Sequence, residues 1–369
     1  MNLDDAMMRR AIRAARHGRP SPNPHVGAVL VRGTRVLSTG YHRRAGEAHA
    51  EVMALTRGSG RTRGATMYVT LEPCNHFGRT GPCTEAIERA GVRRVVIGTR
   101  DPAPHVPGAV ERLRRGGIEV RVGVRQTECR HLVGDFATHI IEKRPYVTVK
   151  TASTLDGRSA ARSGDARWIT GMAARREVHR LRDRSDAVLT GVGTVLADNP
   201  QLTVRHVRGR DPLRAVLDSR LRTPANAALF QSGGPVIIFH GKRAPKARKN
   251  ALVRAGAELV PVPEDRAGLR LRAVLRALAK RDVVRLLVEA GPTLNGALLE
   301  RKLVDRWLAF IAPSLLGDEQ GLPIARGRHV MKMSRALRLA SPTLRRVGED
   351  AIFEGYLTDV NRFFSKVGA

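Results

Sequence analysis

Four residues near the start of the chain have the types and spacing for metal-assisted proton chemistry: His49, Glu51, Cys74 and Cys83. One imidazole and two thiolates are ligands that suit Zn2+. A tetrahedral ion held by three protein groups keeps its fourth position open to water, unlike a closed structural site. Glu51 is not needed as a ligand. Its carboxylate suits taking a proton from an activated water and passing it to a ring nitrogen and then to departing ammonia. The elements that must position these groups are legible. His49-Ala50-Glu51 opens a predicted helix over His49–Thr56, a strand Thr66–Leu71 leads into Pro73-Cys74, and Cys83 precedes a helix Thr84–Ala90 that closes at Gly91, a glycine suited to a left-handed cap. Both cysteines are expected at or near helix starts, where the dipole favours thiolates. Cys129 reads as an ordinary buried thiol.

The wider composition sets the frame. A chain of 369 residues, 42% hydrophobic and 27% charged, has enough apolar material for two folded domains. Charged residues interrupt every apolar run before the ~20 residues that a spanning helix needs. The segment MNLDDAMMRRAIRAARHG is amphipathic and carries acids, unlike a secretory signal. Three cysteines make no disulfide framework, so a reducing, cytoplasmic setting is expected. The net charge of +31 invites a nucleic-acid reading, yet the basic residues are spread along the chain and aromatic residues are only 4%. The basic-plus-stacking pattern of single-strand binders is therefore thin, and no dedicated nucleic-acid partner is expected. Attraction to phosphorylated small molecules fits the charge equally well.

Helix-like and strand-like segments alternate throughout, which predicts α/β architecture. Residues 1–144 form one domain in this reading and 145–369 a second. The first holds a helix at Leu3–His17 and strands at Val26–Val31, Thr66–Leu71 and Arg94–Thr99. The second restarts at Tyr146–Thr151, with further strands at Ala187–Thr190, Ala215–Leu217, Pro235–Phe239 and Arg285–Glu289, and helices at Ala173–Arg184 and Leu269–Leu278.

His-x-Glu followed by Pro-Cys and a second cysteine is the pattern of zinc nucleobase deaminases, but eight residues separate the cysteines here instead of two. TLEPCNHFGRTGPC, with SPNPHVGAVLV and GYHRRAGEAHAEVMAL before it, resembles the deaminase half of the bifunctional riboflavin-biosynthesis deaminase–reductases, in which a long insert between the cysteines is characteristic. KTASTLDGRSA, GDARWIT, HRLRDRSDAVLTGVGTVLADNPQLTVR and VEAGPTLNGALL resemble the reductase half, in the same order. The resemblance runs from about residue 3 to residue 357. It implies a cytidine-deaminase-like three-layer domain followed by a dihydrofolate-reductase-like domain that pairs into homodimers or higher homo-oligomers. The implied reactions are zinc-dependent deamination of diaminohydroxyphosphoribosylaminopyrimidine and NADPH-dependent reduction of the product's ribosyl group to ribityl. His49, Cys74 and Cys83 would hold zinc and Glu51 would shuttle the proton. Asn23, His42, His76 and Arg79 would line the pyrimidine pocket, with a turn or packing role as the alternative for each.

By the same resemblance Gly291, Pro292, Thr293, Leu294, Asn295, Gly296 and Ala297 would contact NADPH, with Ala152, Trp168, Thr194, Asp198 and Ser219. The residues agree in part. Gly191-Val192-Gly193 fails as a dinucleotide fingerprint because Leu196 takes the place of the third glycine. The stretch from Glu289 to Gly296 is better: a strand end, a glycine turn and a helix start whose free N–H groups suit a pyrophosphate. Arg182 and Arg205 are candidates for the substrate phosphate, with Leu202 beside it, since guanidinium forks match phosphate oxygens. Lys150 and Glu289 would face the substrate. Three positions depart from the family pattern. Ala103 replaces an asparagine, Ala166 replaces a small hydroxyl residue that touches substrate, and an asparagine is missing before Phe136. Two rival readings remain: a zinc deaminase of nucleic-acid bases with a basic appended domain, and a degenerate zinc-stabilised binding module.

Overall fold

The computed structural model describes residues 2–77, 81–103 and 108–364. The chain divides into two compact units, one running to Lys143 and rejoined by the stretch from Val360, the other spanning Arg144–Asp359.

The first unit begins with α1 (Leu3–Ala15), whose N-cap Asn2 accepts a hydrogen bond from the Asp4 N–H at 3.2 Å. It continues through β1 (Gly27–Arg32), β2 (Arg35–Tyr41), α2 (Ala50–Arg57), β3 (Thr66–Leu71), α3 (Cys83–Arg89), β4 (Arg94–Thr99), α4 (Ala109–Arg115), β5 (Glu119–Val122), α5 (Gln126–Leu132) and α6 (Gly134–Glu142). The sheet order is β2-β1-β3-β4-β5. β1 pairs antiparallel with β2 and β3, whereas β3, β4 and β5 run parallel. Period-two alternation builds three layers. Ala28, Leu30, Met67, Val69, Val95 and Ile97 pack with residues of α2, α3 and α4 on one face. Val29, Val31, Tyr68 and Val96 pack with Met8, Ala11 and Ile12 of α1 and with Cys129 on the other. The sheet and α2 are in close contact. A Cβ built on Gly40 of β2 would lie 2.2 Å from the Ala50 carbonyl oxygen, so only glycine lets α2 lie this near. Val360, Phe363 and Phe364 complete this core beside Val133 and Ala137. Those apolar side chains find cover on the first unit, so the stretch from Val360 packs with it rather than with the second.

The second unit contains β6 (Tyr146–Ser153), β7 (Arg158–Ala160), α7 (Met172–Arg184), β8 (Ala187–Gly191), α8 (Val192–Asp198), β9 (Leu213–Leu217), α9 (Ala228–Gln231), β10 (Val236–His240), α10 (Lys246–Arg254) and β11 (Ala257–Pro261). After these come the hairpin strands β12 (Glu264–Asp265) and β13 (Gly268–Leu269), then α11 (Leu271–Ala279), β14 (Arg285–Val288), α12 (Pro292–Glu300), β15 (Arg306–Ile311), β16 (Leu322–Pro323), β17 (Ala340–Val347) and β18 (Asp350–Tyr356). Nine strands form one sheet in the order β11-β10-β9-β8-β14-β6-β15-β18-β17, parallel from β11 to β15 and antiparallel beyond. α11 buries Leu271, Val274, Leu275 and Leu278, the spacing of one helix face. Alternate residues of β6 are buried, which leaves Lys150 and Ala152 on the opposite face from Val147 and Val149. In parallel sheets, ligand sites form beyond the carboxyl ends of the strands. Gly191, Ser219 and Glu289 lie at or just past such ends, and Lys150 lies in the carboxyl-terminal half of β6.

Candidate functional site

In the first unit, His49 is the N-cap of α2 and Glu51 lies in its first turn. Cys83 is the first residue of α3. Cys74 does not begin a helix as expected. It sits in the loop beyond β3, and its thiolate character comes from hydrogen bonding. The Cys83 thiol does most, against burial, His49 and the Cys83 N–H (3.3 Å from its Sγ) add to it, and the Cys74 sulfur is brought down to about 4. His49 Nδ1 lies 3.2 Å from the Cys83 sulfur and 3.5 Å from the Cys74 sulfur. Ligands sharing one tetrahedral zinc at ordinary bond lengths stand about 3.6 Å apart. The three ligand atoms fall within 4.8 Å of one another, so the residues present fit the metal in both chemistry and spacing. Glu51 is buried, and burial pushes its carboxyl up to about 7.

Asn23 and His42 are brought to the same place. His42 Nδ1 faces the Ala48 carbonyl at 3.2 Å and its Nε2 faces the Asn23 amide nitrogen at 3.0 Å. A carbonyl only accepts and an amide NH2 only donates, so the imidazole carries its proton on Nδ1. Its ring meets that of His49 edge-on at 5.0 Å. His76 is exposed, and Arg79 lies outside the described residues. Sequence reasoning missed two carboxylates. Glu72, directly after β3, accepts from Arg100 and from the N–H groups of Asp101 and Val110. Asp101, just beyond β4, has its carboxyl raised to about 6 by burial, with the charge of Cys74 among the contributors. It still accepts from the Ala103 N–H at 2.8 Å, so the alanine at this position leaves the turn intact.

In the second unit one cleft of about 1110 Å³ gathers nearly all the predicted residues: Lys150, Ala152, Ala166, Trp168, Arg182, Thr194, Asp198, Leu202, Arg205, Ser219, Glu289, and Gly291 to Ala297 except Gly296. Gly296 lies outside this lining, and a Cβ there would sit 1.7 Å from the Arg326 carbonyl oxygen, so only glycine fits. Asn295 reaches the wall, but its amide donates to the carbonyls of Ala290 and Ile324 at 3.1 and 2.9 Å. The amide therefore fixes the turn below the helix. Gly291 caps α12, Pro292 opens it, and the Thr194 hydroxyl lies across from Gly291.

At the other end, Arg182 grips Glu289 bidentately at 2.6 and 3.0 Å and donates a third bond to the Thr203 carbonyl. Two of its five N–H donors remain. Lys150 Nζ stands 3.8 Å from Glu289. Burial would raise the Glu289 carboxyl, but the cations around it hold it at about 2. Burial lowers the Lys150 ammonium, against the pull of Glu289. His179 and His206, missed by sequence reasoning, also line the cleft. The His179 Nδ1 accepts from the Arg205 N–H at 3.0 Å, and burial with neighbouring cations lowers its imidazole to about 4.

Comparison with known proteins matches both halves. Residues 1–99 fit the family described as the cytidine and deoxycytidylate deaminase zinc-binding region, and residues 145–353 fit the RibD C-terminal domain. The riboflavin biosynthesis protein RibD of Aquifex aeolicus is 41% identical over 95% of this chain and 97% of its own length. This chain belongs to the RibD family. RibD of Escherichia coli is 40% identical over 94% of this chain and 97% of its own. A crystal structure of the Thermotoga maritima diaminohydroxyphosphoribosylaminopyrimidine deaminase/5-amino-6-(5-phosphoribosylamino)uracil reductase is 36% identical, covers 96% of this chain and 98% of its own, and superposes with a TM-score of 0.83. RibD of Acinetobacter baumannii is also 36% identical, over 97% and 99% of the two chains, with a TM-score of 0.84. The chain is thus a bifunctional enzyme of riboflavin biosynthesis, a zinc-dependent deaminase joined to an NADPH-dependent reductase. Among the described residues no helix is long and apolar enough to cross a membrane.

Proposed function

We propose that the first unit deaminates diaminohydroxyphosphoribosylaminopyrimidine and that the second reduces the ribosyl group of the product to ribityl. The observation that carries this is the buried carboxylate of Glu51 beside the His49, Cys74 and Cys83 ligand set. Zinc bound there supplies the Lewis acidity that turns water into a nucleophile at neutral pH. The Glu51 carboxylate takes the proton of the attacking water and delivers it to the ring nitrogen; it then takes the proton of the hydroxyl so formed and gives it to the amino group, which leaves as ammonia as the carbonyl forms. Asn23 and His42 face the pyrimidine, with His42 fixing the orientation of the Asn23 amide. His76 and Arg79 belong to the same pocket.

In the reductase, NADPH when bound supplies the hydride. Gly291, Pro292, Thr293, Leu294, Asn295 and Ala297 border its pyrophosphate side, with Ala152, Trp168, Thr194, Asp198 and Ser219 along its length. Gly296 contributes by holding α12 against residue 326. Lys150 and Glu289 face the substrate, and Arg182, Leu202 and Arg205 border its phosphate. Ala166 offers that substrate no hydroxyl. The enzyme acts in the cytoplasm. An assay of ammonia release and loss of nicotinamide absorbance on the phosphorylated diaminopyrimidine tests the assignment: both are expected, in that order, and a protein that does neither sinks it.

The reductase unit pairs into a homodimer. In support, edge strand β17 is exposed along nearly its whole length, and the neighbouring chain exposes Leu315, Met331, Met333 and Leu344. Sedimentation is expected to give a dimer for wild type and a shift toward monomer for Leu344→Asp with Met333→Asp. A monomeric wild type at assay concentration would refute the pairing.

A further inference from the structure

We propose that Arg222 reads the 2′-phosphate of the dinucleotide and so sets the preference for the phosphorylated cofactor, an inference that rests on the NADPH reading above. The cleft has a direction along the strand ends. Lys150 and Glu289 lie at β6 and β14, and the turns at Gly191 and Gly291 at β8 and β14. Leu217, Ser219 and Arg222 lie at and beyond the end of β9. A dinucleotide with its reactive ring near Lys150 and its pyrophosphate at the glycine turns carries its adenosine to the β9 end.

That end is a built site. Gly268, whose φ of +109° favours glycine, stands across from Ser219, with a Cβ built on it 4.0 Å from the Ser219 hydroxyl, at ordinary contact distance. The loop that presents Ser219 and Arg222 is fixed from below. Asp218 accepts from both the N–H and the hydroxyl of Thr223, at 2.7 and 2.8 Å. Leu221 takes φ +53° and buries its side chain, while the Ser219 carbonyl accepts from the Gly241 N–H at 3.0 Å. Arg222 is exposed on this fixed loop.

The other arginines of the cleft are engaged. Arg182 holds Glu289, Arg205 donates to Gln201 and Thr203, Arg301 to the Ala297 carbonyl, and Arg326 to the Thr293 hydroxyl. Arg167 donates to the Asp198 carbonyl and Arg175 stacks on Trp168. Arg222 has neither a hydrogen bond nor an ion pair among the described residues. A planar guanidinium and a hydroxyl presented by one loop are a donor set that recognises a phosphate monoester.

The test is calorimetric titration of the full chain with adenosine 2′,5′-bisphosphate and with ADP. Wild type should bind the bisphosphate more tightly. Arg222→Gln should weaken the bisphosphate roughly 10- to 100-fold, as expected for charge-assisted hydrogen bonds, and leave ADP within about twofold. Arg222→Lys should recover part of the preference. An Arg222→Gln protein that keeps the preference overturns the assignment, as does one that loses both nucleotides equally, or a preference that collapses in Arg301→Gln instead. Wild type that binds neither nucleotide nor NADPH overturns the cofactor reading itself, a separate outcome.

Discussion

Glu51→Gln will stop ammonia release while leaving the reductase and the metal in place. Glutamine keeps the shape of the side chain and removes the group that carries the proton. The expected loss is that of a general acid–base group, roughly 10²–10⁴-fold in kcat. Zinc content should stay at the wild-type level, because the three donor atoms that the structure gathers belong to His49, Cys74 and Cys83. Supplied with the already deaminated pyrimidine, the variant should oxidise NADPH at the wild-type rate. Supplied with the diaminopyrimidine, it should oxidise almost none. Measuring metal content, ammonia and nicotinamide absorbance on one preparation separates the possibilities. Deamination within tenfold of wild type would remove Glu51 from the proton path, and loss of zinc would make it a ligand.

The zinc site was legible in sequence because its parts sit at element boundaries. His49 at a helix start, Cys74 after a strand and Cys83 at the next helix are local events with short-range signals. The α/β alternation was legible for the same reason, since strands such as Thr66–Leu71 and Arg94–Thr99 are continuous apolar runs. What was not legible depended on distant packing. Gly296 looked like part of a phosphate turn, and only the approach of residue 326 reveals why a side chain is excluded there. The return of Val360, Phe363 and Phe364 to the first unit follows from Val133 and Ala137, more than 200 residues earlier in the chain. Glu72 and Asp101 lay inside stretches that resemble the family but were not singled out in them, because a carboxylate gains meaning only when the fold buries it. His179 was hidden likewise, because its role is to accept the backbone N–H of Arg205.

Arg182→Met should destabilise the reductase unit, and the size of the loss should depend on pH in a direction that the geometry fixes. Glu289 and Arg182 are both nearly buried, so removing the guanidinium strands a carboxylate in a site that burial alone would make hostile to charge. Breaking such a pair costs about 3–5 kcal/mol. For a unit of this size that is a fall of roughly 6–20 °C in Tm. Lys150, 3.8 Å away, offsets part of it and favours the lower end. In wild type the carboxyl lies at about 2, below its ordinary 4.5, so its contribution is full above 4.5 and fades as pH falls toward 2. In the variant burial prevails and the carboxyl rises above 4.5. The stability deficit is then largest at neutral pH and shrinks as acidification protonates Glu289. Calorimetry at pH 7.5 and pH 5 should show the gap between variant and wild type narrowing. A gap that is equal or wider at pH 5 would mean that Glu289 does not depend on Arg182 for its charge. Arg182→Met with Glu289→Leu removes the stranded charge and should recover most of the lost stability without recovering NADPH oxidation. That separates the pair's structural role from its place in the substrate site.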